Sequence, residues 1–305
     1  MPRRTWSSEL KSAESTPELS VILVNYNDRN HLKECLSSLI DTVKDIPFEV
    51  IVIDNQSSDG TPEWIREHAP RVRLTVNAEN VGFARANNQG IQESRGEYIL
   101  FLNTDTILQP QAVANLFEEL RSNRTIGAVG PALLCGEKTF QVSFGKNVSF
   151  FREVFQKMVL NPYYRFRLKR GAKKRQVGWL SAACLLTRKD ILEEVGLFDE
   201  QFFLYFEDID LCFRIGGKGY VLEYLPQARV YHLGGASTEG LKLFSRYYYR
   251  KSQLYFYKKH NSKAALLLFR LYLRVNISLL LGWGYLRGAA DMNERRVLKG
   301  LLREE

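Results

Sequence analysis

Three continuous apolar runs limit what this chain can fold into. SVILVNYN at 20–27, FEVIVIDN at 48–55 and EYILFLNTD at 97–105 are dense in β-branched and aromatic residues, with little polar alternation. Runs of this kind are strands covered on both faces, as in a parallel sheet with helices above and below. Each also ends in polar residues: Asn25-Tyr26-Asn27, Asp54-Asn55 and Asn103-Thr104-Asp105.

Helical spacing fills the intervals. In HLKECLSSLI at 31–40, Leu32, Cys35, Leu36 and Leu39 share one side, and Asp28 is placed as an N-cap. Thr61-Pro62-Glu63 reads as a cap followed by proline at the first helical position. RVRLTVN at 71–77 alternates like a strand, NVGFARANNQGI at 80–91 reads as a turn entering a helix, and Pro110 opens the next helix. Strand and helix alternate through residue 121, so the expected class is α/β with a doubly wound, mostly parallel sheet.

The second half is less regular. Residues 141–175 form a basic excursion, in which Lys146 to Arg175 hold ten Lys/Arg and one acid, Glu153. It fits either a solvated excursion or a basic flap over an anionic ligand. GWLSAACLLT at 178–187 returns to strand character, helical spacing resumes at 188–195 and 207–216, and GYVLEYLP and ARVYHL read as two short strands. The divisions expected are a flexible segment 1–18, a main domain 19–238, and a basic, aromatic helical tail 239–305.

Charge singles out that tail. The net charge is +9, yet Lys242 to Glu305 carry 14 Lys/Arg against 4 Asp/Glu, leaving 29 against 30 before it. A neutral body with a basic tail implies an anionic partner: nucleic acid, a membrane surface or a phosphorylated lipid. AALLLFRLYLRVNISLLLGWGYL at 264–286 is mostly apolar, but its longest charge-free run, Val275 to Leu286, is shorter than the ~20 residues that span a bilayer. Lys263, Arg270 and Arg274 share one helical face. The segment fits a helix lying in a membrane interface, or a hairpin packed on the body or on a second subunit. Cys35, Cys135, Cys184 and Cys212 lie far apart with no C-x-x-C, and the first twenty residues contain no apolar h-region. The expectation is a reduced, cytoplasmic protein, peripheral at the inner membrane face if the tail docks there.

In a doubly wound sheet the ligand sits outside the carboxyl ends of the strands. Each polar cluster at those ends has an ordinary alternative in turn chemistry; three at equivalent ends suggest one convergent site. There is no G-x-G-x-x-G after the first strand, no G-x-x-x-x-G-K-[ST] and no G-x-S-x-G. These absences argue against a dinucleotide enzyme, a P-loop enzyme and a serine hydrolase. A second cluster, FFLYFEDIDLCFR at 202–214, delivers Glu207 and Asp208 from an aromatic run. Carboxylates in apolar surroundings acquire raised pKa values, which suits a general base near neutral pH. Asp210 and Arg214, four apart, read as a structural pair. A third cluster, VYHLGGAST at 230–238, places His232 at a strand end, while His31, His68 and His260 read as structural.

These pieces carry a resemblance. SVILVNYN, VIVIDNQSSDGT, NVGFARANNQGI, ILFLNTDT, GWLSAACLLTRKDILEEVGLFDEQFFLYFEDIDLCFR and YHLGGAST, in this order over residues 19 to 238, are similar to family 2 glycosyltransferases of the GT-A fold, rhamnosyltransferase-like branch. The resemblance implies that Asp54 holds the nucleotide base and that Asn25, Tyr26 and Asn27 line the nucleoside pocket. Gly82, Phe83, Arg85 and Asn88 would approach the nucleotide or its diphosphate, although a surface salt bridge is the plain alternative for Arg85. Asn103, Thr104 and Asp105 stand where the family has its D-x-D motif, with the first carboxylate replaced by Asn103. Asp105 and His232 would then hold Mn²⁺ or Mg²⁺, the imidazole tilting the choice towards Mn²⁺. Asp208 resembles the catalytic base of an inverting displacement, with Glu207 orienting the acceptor or the base. Trp179 would stack on the acceptor sugar, against an equal alternative of core packing.

The function implied is transfer of a sugar, rhamnose from dTDP-rhamnose first, to a saccharide or polyprenyl-diphosphate-linked acceptor in cell-surface polysaccharide synthesis. Nucleic acid then drops out as a partner, while peripheral membrane contact and a homo-oligomer stay open. The competing readings are another nucleotide-sugar enzyme and a non-catalytic nucleotide-sugar binding protein. A glycine-rich, basic loop after the first strand would favour the former, and Asn25-Tyr26-Asn27-Asp28 does not supply it.

Overall fold

The computed structural model describes residues 16–135, 139–146, 173–233 and 242–286. Most of the basic excursion, the glycines after His232, the first fifteen residues and the last nineteen lie outside these. The element order opens β1 (Leu19–Asn25), α1 (Arg29–Thr42), β2 (Phe48–Asp54), α2 (Thr61–His68), β3 (Arg73–Val76), α3 (Phe83–Glu93) and β4 (Tyr98–Leu102). It continues with β5 (Thr106–Leu108), α4 (Ala112–Ser122), β6 (Ile126–Cys135), β7 (Thr139–Phe140), β8 (Phe144–Gly145), β9 (Arg175–Val177), β10 (Trp179–Leu180) and β11 (Cys184–Arg188). It closes with α5 (Lys189–Val195), α6 (Glu207–Gly217), β12 (Val221–His232), α7 (Lys242–His260) and α8 (Lys263–Leu286).

The central sheet runs β3-β2-β1-β4-β11-β6-β12-β5, with β7 and β9 added to β6 and β12. β3, β2, β1 and β4 are mutually parallel, as are β6 and β12, while β11 lies antiparallel between β4 and β6. The α/β class with a doubly wound sheet and a C-terminal helical extension is observed, and the sheet is mixed from β4 onward. Chain order reverses at β1, which places a crevice outside the carboxyl ends of β1 and β4. Alternation along β1 explains the two layers. Leu19, Val21 and Leu23 pack in one core with Leu32, Leu36 and Leu39 of α1, and Ile22 packs on the other face with Ala84 and Ile91 of α3.

Several local readings change. Asp28 does occupy the N-cap of α1, but its side chain makes no cap bond; it accepts from Thr104 Oγ1 at 2.8 Å and contacts His31. Gly60, not Thr61, caps α2, because the Thr61 hydroxyl is bonded to Asp59. The strand expected at 178–187 is two strands parted by Ser181–Ala183, and GYVLEYLP with ARVYHL forms one strand, β12, with a register shift between Leu225 and Arg229. β6 was not read from the sequence at all, since Gly127, Gly130 and Pro131 interrupt its apolar run.

The tail begins as a packed hairpin. Phe256 and Tyr257 of α7 and Phe269 and Leu273 of α8 are buried with Phe202 and Phe206, each such side chain contributing roughly 1.5–3 kcal/mol. The Tyr257 and Phe269 rings stack at 4.1 Å. Lys259 Nζ reaches Asp199 at 2.7 Å and Asp210 at 2.8 Å, and His260 Nε2 lies 2.6 Å from Asp210. Asp210 therefore pairs with Arg214, as the spacing suggested, and with two groups of α7 as well.

Candidate active site

The polar ends of β1, β2 and β4 meet as expected. Asn25 Nδ2 donates to Asp54 Oδ1 at 2.8 Å and to Ser57 Oγ at 2.9 Å, and the Ser57 amide donates to Asp54 Oδ2 at 2.8 Å. Asp54 is thus fully buried and locked against the turn that follows it. Asn27, with φ of 52°, turns its Oδ1 to the Ser58 amide at 2.7 Å and its own amide to Ser57 Oγ. Tyr26, between them, is exposed. Thr104 is tied to Asp28, so the β1 and β4 ends are cross-linked as well.

On the far side of β4, Asp105 and His232 come together. His232 pairs in register with Thr106, the residue after Asp105. Its Nδ1 lies 2.8 Å from Gln141 Oε1. An amide oxygen only accepts, so Nδ1 is the donor in that contact, and in the neutral ring the Nε2 lone pair faces inward. Nε2 is 3.2 Å from Asp105 Oδ1 and 3.3 Å from Asn103 Nδ2. Two such atoms converging would make a donor pair for a cation, and Gln141 would play the usual orienting part behind a metal-binding imidazole. Among the described residues no group of three or more His, Cys, Asp or Glu gathers in this way. Asp105 and His232 would supply two donors, leaving the remaining positions of a six-coordinate ion to diphosphate oxygens and water.

Glu207 and Asp208 open α6 after two consecutive residues in the left-handed region, Tyr205 and Phe206, both at φ 68°. Such backbone costs of order 1–3 kcal/mol per residue and persists only when its surroundings enforce it. Here α7 supplies the enforcement, with Tyr249 against both Tyr205 and Phe206. Asp208 Oδ2 accepts from the Ala182 amide at 3.2 Å, and Oδ1 accepts from the Ile209 amide at 2.8 Å. Burial pushes the Asp208 carboxyl up to about 6, the amide bonds opposing the shift. Burial, and then the neighbouring Asp208 charge, hold Glu207 well above the usual carboxylate range, and its Oε2 is buried without a partner.

The turn into α3 is built for close approach. Gly82 has φ of 85°, and a Cβ there would lie 2.6 Å from the Phe203 carbonyl oxygen. The Phe83 amide donates to that same oxygen at 2.8 Å. The neighbour that Gly82 admits is thus the loop leading into Glu207. Two other residues assigned to the nucleotide are engaged elsewhere. Asn88 exchanges bonds with the Phe198 backbone at 2.9 and 3.0 Å and donates to Glu200. It lines a cavity of about 500 Å³ with Asp199, Arg214 and Lys259, which none of the strand-end residues share. Arg85 Nε lies 3.8 Å from Glu200, and both side chains are half exposed, the salt bridge named as its alternative. The Trp179 ring covers Gly145, where a Cβ would lie 2.3 Å from its Nε1, and the side chain stays partly accessible.

Sequence reasoning assigned no part in the site to Ser57, Gln141 or the Ala182 amide, and read Asp28 only as a helix cap. Ser57 and Ala182 sit inside quoted motifs and Asp28 directly follows one, but Gln141 lies outside them; Gln141 and Ala182 act through contacts 91 and 26 residues away in sequence.

This fold is that of a glycosyltransferase of the GT-A class, and comparison with known proteins agrees. The mannosyltransferase PcManGT from Pyrobaculum calidifontis, solved with GDP-Man and Mn²⁺, superposes with a TM-score of 0.59 at 17% identity, over 97% of this chain and 83% of that one. GalNAc-T7, solved with UDP, GalNAc and Mn²⁺, superposes at 0.57 with 18% identity, over 72% of this chain and 44% of that longer one. The profile of "Glycosyl transferase family 2" matches residues 20–196, and the chain belongs to that family. It is 32% identical over 242 residues to an N-acetylglucosaminyl-diphospho-decaprenol L-rhamnosyltransferase of Mycobacterium tuberculosis, covering 73% of this chain and 78% of the relative. It is 30% identical to the O-antigen biosynthesis protein RfbC of Myxococcus xanthus, over 73% of this chain but 18% of that protein. The chain is thus a rhamnosyltransferase-like glycosyltransferase of glycan or cell-wall synthesis.

Proposed function

We propose that the chain is an inverting, metal-assisted enzyme that moves rhamnose from dTDP-rhamnose to a polyprenyl-diphosphate-linked saccharide. The observation that carries this reading is the carboxylate pair of buried Glu207 and half-buried Asp208. It is joined to the β4 end through Ala182 and Ala183, and burial pushes its Asp208 carboxyl up to about 6. The mycobacterial relative supports the sugar and the lipid-linked acceptor, and the two solved structures support a divalent ion.

In this mechanism an Asp208 carboxylate oxygen takes the proton of the acceptor hydroxyl. The freed oxygen pair forms the bond to the anomeric carbon from the face opposite the diphosphate. The bond to the diphosphate breaks, and its electrons leave with the nucleotide. Glu207, whose burial favours the protonated carboxyl, donates a hydrogen bond that orients the acceptor. Asn25, Tyr26, Asn27 and Asp54 shape the nucleoside pocket, and Arg85 turns from Glu200 towards the diphosphate. Trp179 offers its ring to the acceptor sugar. A divalent ion held by Asp105 and His232 would offset charge on the departing diphosphate.

The test is transfer from dTDP-rhamnose, UDP-hexoses and GDP-mannose to a short polyprenyl-diphosphate saccharide, with anomeric configuration read by NMR. A thermal-shift panel of dTDP, UDP and GDP with and without Mn²⁺ runs beside it. Turnover of dTDP-rhamnose with inversion is expected. Exclusive use of another donor would remove rhamnose from the reading, and retention would remove the single displacement.

A further inference from the structure

The helix α8 has two apolar faces. Phe269, Leu273 and Ile277 are buried, the first two in the core shared with the body, which accounts for one. On the opposite side Leu267, Leu271 and Val275 recur every four residues at 67%, 58% and 52% exposure, with Leu268 beside them at 42%. At 100° per residue, Lys263, Arg270 and Arg274 fall between the two stripes, and Lys263 and Arg274 are exposed. From Lys242 to Leu286 the hairpin holds nine Lys/Arg and no Asp or Glu.

We propose that this outward ridge of α8 docks the protein on an anionic lipid surface, the helix lying in the plane of the interface. Leu267, Leu268, Leu271 and Val275 would enter the acyl boundary, with Lys263 and Arg274 at the level of the phosphates. An apolar stripe beside a basic one, on a helix without acids, is the chemistry of interfacial binding. A contact between two copies of the ridge fits less well. Two-fold pairing brings like surfaces together, and the hairpin has no carboxylate to offset the basic stripes. Among the described residues no helix is long and apolar enough to cross a membrane, so lying flat is the mode open to α8. The hairpin is also fixed to the catalytic body. Lys259 and His260 hold Asp210, two residues beyond Asp208, so a docked α8 orients the α6 end of the site relative to the surface.

The experiment uses the full chain and vesicles of phosphatidylcholine with about 30 mol % phosphatidylglycerol, against phosphatidylcholine alone. Wild type is expected to sediment with the anionic vesicles at low salt and to be released as salt rises. L267E/L271E is expected to lose at least about tenfold in partitioning, and R274E to lose less. Both replace exposed side chains, and an unchanged melting temperature confirms folding. Failure of the wild type to sediment overturns the proposal, as does equal binding by L267E/L271E. Analytical ultracentrifugation completes the test: a wild-type dimer that becomes monomeric in L267E/L271E assigns the ridge to a second copy and overturns lipid docking.

Discussion

The Ala182 amide donates to Asp208 Oδ2 at 3.2 Å, and the next carbonyl, that of Ala183, accepts from the Asn103 amide at 3.0 Å. One short segment between β10 and β11 therefore spaces the Asp208 carboxylate from the end of β4. Asp208→Asn removes the proton acceptor and leaves that spacing in place. Transfer is expected to fall by about 10²–10⁴-fold, while stabilisation by dTDP with Mn²⁺ persists in thermal-shift measurements. Wild-type turnover in this variant would end the assignment of Asp208 as base.

The same carboxyl sets a pH limb. With its pKa raised to about 6, Asp208 is ionised and competent above that value and protonated below it. The profile of kcat/KM should fall on the acid side with a midpoint near 6, about two units above an ordinary aspartate. A flat profile down to pH 5 would contradict this.

Glu207 makes an opposite demand on stability. Its folded pKa is raised, so the folded state holds the proton more tightly than the unfolded chain. Stability from this group is complete at low pH and declines as pH rises from the ordinary glutamate value through the folded one. Glu207→Gln keeps the shape without the charge. It should raise Tm at pH 8, lose that advantage near pH 4, and slow transfer. Calorimetry at the two pH values reads the difference directly.

Asp210 behaves in the reverse sense. Burial alone would raise its pKa; the His260 bond, Arg214 and Lys259 overcome burial and lower it. Its contribution is present above the ordinary aspartate value and is lost as pH falls through the lower folded one. Asp210→Asn leaves Arg214, Lys259 and His260 around a neutral amide and is expected to cost about 3–5 kcal/mol at neutral pH. Chemical denaturation at pH 7 measures it; a change under about 1 kcal/mol would show that the cluster is solvated.

The glutamine behind the imidazole of the candidate metal site gives a test away from the donors themselves. Gln141→Leu removes the partner of His232 Nδ1 and should weaken Mn²⁺ affinity by about 10–100-fold, the usual cost of losing such a partner. Calorimetric titration of Mn²⁺ in the presence of dTDP would detect it, and unchanged affinity would detach Gln141 from the metal.

Much of this was legible because buried parallel strands announce themselves. β1, β2 and β4 are continuous apolar runs, and their polar ends do converge. β6 was not legible: its glycines and proline break the run, and its place in the sheet comes from pairing with β11 and β12, far away in sequence. Glu207 and Asp208 could be read from the aromatic run before them, but not the turn that aims them. Its two left-handed residues are held by α7, some forty residues later. Gly82 could be read as a place of close approach, but the partner, Phe203, could not, since no local pattern names a neighbour 121 residues on. Asn88 and Arg85 had the right residue types for a diphosphate, and Glu200 holds both.

The pairing of His232 with Thr106 has a bearing on how this chain can vary. Asp105 and His232 are joined by strand register, and register tolerates no fractional change. Inserting or deleting one residue between Arg229 and His232 would turn the imidazole to the opposite face of the sheet. Natural variants, and any engineered chimera, should therefore concentrate their length differences in the connections between strands and hold the count through the end of β12 constant.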